Sequence, residues 1–104
     1  MSDARAKLEA IGIRILEAEV RSHFILERDG FVAFVERRTD SSGNEAFGNI
    51  GAPAFVTDQG IGVLLWRGDQ AYFVGKGFEQ LATGEQVQRL RAFAADLEKE
   101  IAPR

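Results

Sequence analysis

Two β-prone runs, HFILER and FVAFVER, meet at Asp29-Gly30. An Asp-Gly pair tolerates positive φ at both positions, as a two-residue type I′ turn demands, and so short a turn leaves the flanking strands one register. That register opposes Arg28 with Phe31, Leu26 with Ala33, Phe24 with Val35 and His23 with Glu36. Side chains alternate along a strand, so Phe24, Leu26, Phe31, Ala33 and Val35 share one apolar face, which is expected on the core. The opposite face carries Ile25, Val32 and Phe34 together with His23, Glu27 and Glu36.

A second hairpin is predicted over residues 61–76, where Gly68-Asp69 fits a type II′ turn. Its register pairs Arg67 with Gln70, Leu65 with Tyr72 and Leu64 with Phe73. Val63, Leu65, Tyr72 and Val74 then lie on one face and Leu64, Trp66, Ala71 and Phe73 on the other. A strand pair that is apolar on both faces sits centrally or offers one face to a partner. Ala54–Thr57 reads as a further strand, turning at Asp58-Gln59-Gly60. Residues 39–53 read as a loop with an optional short strand at 46–50.

Helical signals sit at the two ends. Thr83 and Gln86 form a capping box, and Val87, Leu90, Ala94, Leu97 and Ile101 recur at helical spacing, with Phe93 widening the stripe. Glu85 and Arg89 are an i,i+4 ion pair, and Pro103 follows the end. Residues 4–20 allow two readings. One is a helical stripe of Ala4, Leu8, Ile11, Ile15 and Ala18 interrupted by Gly12. The other is a helix that ends at Ile11, with Gly12 as its left-handed cap and a strand from Ile13. The expected architecture is a single α+β domain over residues 1–104. It has one antiparallel sheet of about five strands, including the two hairpins, with N- and C-terminal helices packed on it.

Composition narrows the chemistry. The 104 residues include no cysteine, which removes disulfides, thiolate nucleophiles and cysteine-zinc sites and leans towards a reducing compartment, the cytoplasm. The first ten residues alternate charges and lack a signal-peptide core, and the apolar runs, such as residues 63–66, are too short to span a bilayer. A net charge of −3 argues against nucleic acid, since neutralising phosphates supplies most of that affinity. No helix pairs a basic face with exposed aromatics, so no membrane surface is expected as a partner.

His23 is the only histidine, and the hairpin register sets it opposite Glu36, a carboxylate that could orient an imidazole for general-base work. The simpler reading is a cross-strand pair, because Ser22, one residue away, is expected on the opposite face. Gly75-Lys76-Gly77 precedes the Thr83 helix start, which raises Lys76 as an anion contact, but the phosphate-loop pattern is absent and Glu79 follows. Trp66, Tyr72 and Phe78 are candidate pocket aromatics, although the register puts Trp66 and Tyr72 on opposite faces. Asp40-Ser41-Ser42-Gly43-Asn44-Glu45 is oxygen-rich without EF-hand spacing, and Arg67-Gly68-Asp69 reads as turn residues. No metal or cofactor is assigned.

The functional expectation is therefore a non-catalytic protein-interaction or self-associating module, a homodimer or the partner of another protein. The alternative is a small-ligand binder or weak enzyme using His23 and Glu36.

Overall fold

The structure is a computed structural model that describes residues 2–16 and 22–101. Pro103 and Ala18, both used above as signals, lie outside them.

The chain runs α1 (Ser2–Ala10), β1 (Arg14–Leu16), β2 (His23–Arg28), β3 (Phe31–Thr39), β4 (Glu45–Ile50), β5 (Ala54–Thr57), β6 (Gly60–Arg67), β7 (Gln70–Gly75), β8 (Phe78–Leu81) and α2 (Gly84–Ile101). The eight strands form one curled antiparallel sheet in the order β1-β2-β3-β5-β6-β7-β8, with β4 pairing to β3. This corrects the expected α+β fold of about five strands with two packed helices. The protein is mostly β: a half-barrel whose inner face is filled by α2, with α1 only nine residues long.

Of the three strands beyond the expected five, β1 matches the second reading of residues 4–20 and β4 the optional strand at 46–50, and only β8 is new. At β1, Ile11 and Ile15 mimic a helical repeat, but the backbone breaks at Gly12. The Ile13 amide donates to the Leu8 carbonyl at 2.9 Å and the Gly12 amide to that of Glu9 at 3.1 Å. Gly12 has φ 82°, and the two bonds make a Schellman end with Leu8 and Ile13 packed beside each other, both fully buried. Strand β4 holds two polar residues and a glycine in six, and takes its order from β3. Strand β8 hides behind Gly75-Lys76-Gly77, which looks like a connection but carries the Lys76-Gly77 turn of a fourth tight hairpin.

Both anticipated registers are present. His23 opposes Glu36 and Arg28 opposes Phe31; Leu65 opposes Tyr72 and Arg67 opposes Gln70. Asp29 and Gly30 have φ of 56° and 86°, as a type I′ turn requires, and Gly68 has φ 65°. The face of Phe24, Leu26, Phe31, Ala33 and Val35 is buried against Val87, Leu90, Phe93, Leu97 and Ile101 of α2. The helix begins on the expected box: the Gln86 amide donates to Thr83 Oγ1 at 3.1 Å and the Thr83 amide to Gln86 Oε1 at 2.9 Å.

Two features close the core. Phe31, Phe55 and Phe73 form a row with ring centroids 4.9 and 5.0 Å apart. Gly62, in the strand between Phe55 and Phe73, lets their rings meet, and a Cβ there would sit 3.0 Å from Phe73 Cβ. Arg28 ties the helices to the sheet: its guanidinium donates to Asp96 Oδ2 of α2 at 2.8 Å and to the Ile11 carbonyl at 3.1 Å, 5.7 Å from the centre of the Phe93 ring.

Candidate functional site

His23 opens β2 and faces Glu36 across the hairpin, yet no hydrogen bond joins their side chains among the described residues. Glu36 lies where β3 shifts register against β4, and its carboxylate accepts from Arg38 Nε. Gly48 of β4 leaves the space this ion pair occupies: a Cβ there would fall 2.7 Å from both Glu36 Oε1 and Arg38 Nε. His23 turns instead to Ser22, whose Oγ is 2.7 Å from Nδ1, with the donor set by the imidazole tautomer. Ser22 was expected on the opposite face. It sits in the turn before β2, where strand alternation does not apply. The imidazole is half-buried, Ser22 is exposed, and the carboxylate that would orient the ring is held by Arg38.

The remaining candidates are scattered. Lys76 is exposed in the β7–β8 turn, and because β8 intervenes it does not lead into the start of α2. Trp66 lies near the end of β6 on the inner face, 46% exposed, and walls a cleft of about 240 Å³ floored by Ala71, Ala82 and Val87. Arg91 of α2 stands over the indole, 5.6 Å from its centroid. Tyr72 lies on the outer face, as its register required, with the Arg67 guanidinium 5.4 Å from its ring centre. Phe78 covers Gly75 and Gly60 at the sheet margin. The Asp40 carboxylate accepts from the Ser42 and Asn44 amides at 2.9 and 3.0 Å, which commits it to closing the β3–β4 turn. Among the described residues no group of three or more His, Asp or Glu side chains is placed to hold a metal ion.

The most distinctive surface is one that chemistry-bearing residues do not mark. Val56, Ile61, Val63, Leu65 and Leu81 are 44–56% exposed and share the outer face of β5–β8, with Tyr72 and Val74 half-buried between them. The only charged residues in these four strands are Arg67 and Glu79, and they pair with each other across Tyr72. The outer face of β1–β3 differs: Leu16, Ile25 and Phe34 are half-buried there, Val32 is buried, and Arg14 and Glu27 form an ion pair. The double-sided apolar hairpin and the strand of Val56 are legible in the sequence, but the extension of the face onto Leu81 is not, because β8 reads there as a connection. No helix among the described residues is long and apolar enough to cross a membrane. Comparison with protein-family models, curated proteins and solved structures finds no match for the chain.

Proposed function

We propose that the chain is a non-catalytic protein-interaction module whose contact surface is the outer face of β5–β8, acting in the cytoplasm. The observation that supports this reading is the apolar face itself. Side chains of five aliphatic residues lie half open to solvent on β5, β6 and β8, with Tyr72 and Val74 of β7 between them. Contiguous patches of this kind on small domains mark contact surfaces. His23 and Glu36 offer less, since the carboxylate is held by arginine and the histidine's neighbour is an exposed serine.

The test is site-specific photo-crosslinking in cells that express the chain. A photoreactive residue at Leu65 is expected to give protein adducts, and the same residue at Glu98, exposed on α2, is expected to give none above background. Equal labelling from both positions, or none from Leu65, overturns the reading.

Small-ligand binding is a second reading, favoured by the cleft beside Trp66. Trp66 is the only tryptophan, so its emission reports directly on that cleft. A set of small metabolites that leaves the emission unchanged at millimolar concentration removes this reading.

A further inference from the structure

We infer that the occupant of the outer face is a second copy of this chain, stacked sheet on sheet across a twofold axis. This inference rests on the proposed contact surface and names its partner.

The first argument is charge. A foreign partner of opposite sign would be favoured by a face carrying unsatisfied charge. This face carries one cation and one anion, Arg67 and Glu79, already paired with each other. It is therefore neutral on a chain whose net charge is −3. Two such faces can approach without stripping an unpaired charge of water, which is the main penalty in burying an interface. No other charged residue stands in these four strands.

The second argument is area. The five exposed aliphatics leave on the order of 400 Å² of apolar surface per copy, within the range of the largest patches on monomers. The half-buried Tyr72 and Val74, with Arg67, Gln70 and Glu79 at the rim, bring the contact towards the roughly 800 Å² per partner of a specific interface. The apolar centre and polar rim follow the usual anatomy of such surfaces.

The third argument is architectural. A sheet that is apolar on both faces needs cover on both. On the inner face α2 supplies it. On the outer face of β1–β3, ion pairs and half-buried side chains leave no large apolar residue exposed among those described. Only β5–β8 lacks its second layer, and a twofold contact lets each copy serve as the layer the other lacks. Two sheets stacked this way interdigitate their side chains at about 10 Å spacing, with strands offset by about 30°. Ile61, Val63 and Leu65, consecutive outward positions on β6, form the centre of the contact.

Sedimentation velocity on the purified chain from about 10 µM to about 1 mM tests this. The native chain is expected to move from monomer towards dimer. Leu65→Lys and the milder Val63→Thr are expected to weaken dimerisation, the first by at least tenfold, with unchanged circular dichroism. Both positions are 44–47% exposed, so neither substitution removes a buried core side chain. A dimer that survives both substitutions uses another surface and overturns the inference. A native chain that stays monomeric throughout also overturns it, yet leaves the interaction module standing if Leu65 still crosslinks to another protein. If Leu65 gives no adduct at all, the module reading falls as well.

Discussion

At the scale of single residues, close approach rather than residue type decides what a position tolerates. Gly75 and Gly84 look equally dispensable in the sequence. A Cβ on Gly75 would fall 2.5 Å from the Ile61 carbonyl and into the Phe78 ring, whereas one on Gly84 meets nothing within 4 Å. The Phe78 ring can rotate aside, but the Ile61 oxygen belongs to a paired strand and cannot. Gly75→Ala is expected to cost about 2 kcal/mol or more in urea unfolding, as overpacking of a fixed site does. Gly84→Ala, in the first turn of α2 and without positive φ, is expected to stabilise by about 0.5–1 kcal/mol through helix propensity and a less flexible unfolded chain. The reverse order would contradict the contact geometry. Arg28 provides a second residue-level test. Its pair with Asp96 joins β2 to α2 but is partly open to solvent, so a double-mutant cycle with Arg28→Met and Asp96→Asn is expected to give a coupling of only about 1 kcal/mol. Arg28→Met alone costs more, because it also frees the Ile11 carbonyl and the Phe93 ring.

Between neighbouring elements, what could be read from the chain was whatever it encodes locally. Asp29-Gly30 and Gly68-Asp69 specify turns through their own φ preferences, so both registers follow without knowledge of the rest. Thr83 and Gln86 are equally local, and Thr83→Ala is expected to lower stability by about 1 kcal/mol as the Gln86 amide at the start of α2 loses its partner. A thermal or urea melt measures it, and a change under about 0.3 kcal/mol would mean water replaces the cap. Strands β4 and β8 are not local in this sense. Glu45, Gly48 and Asn49 have little strand preference, and β4 forms because β3 offers an unpaired edge beyond the point where β5 pairs with it. Phe78 reads as an aromatic in a loop until Gly60 and Gly75 supply the hollow it covers. The candidate sites divide the same way. The opposition of His23 and Glu36 was legible from the turn, but the competition from Arg38 was not. It arises from the register shift in β3 and the missing side chain of Gly48 in the next strand.

For the whole molecule, the long axis and the uneven outer face belong together. The chain measures 46 × 24 × 21 Å with a radius of gyration of 14.4 Å, against about 13 Å for a compact chain of this length. The core gathers β2, β3, β7, α1 and α2, while β5–β8 turn an apolar side away from it. If that side is where copies meet, association has a solvent signature distinct from that of a charge-driven contact. Arg67 and Glu79 are matched within each chain, so few counterions are held or released when two faces close. Raising sodium chloride from about 50 to about 500 mM, which shortens the Debye length from about 14 to about 4 Å, is expected to change the dimer dissociation constant less than threefold. Sodium sulfate at equal ionic strength strengthens the effective burial of apolar surface and is expected to tighten the dimer. Coupling to folding supplies the companion readout: the melting temperature of the native chain is expected to rise by a few degrees over a hundredfold increase in protein concentration, and that of Leu65→Lys to stay flat. Sedimentation in the two salts and melts at two concentrations measure these effects. A dimer that dissolves in chloride would place the contact on the charged surfaces of α2 or β1–β4.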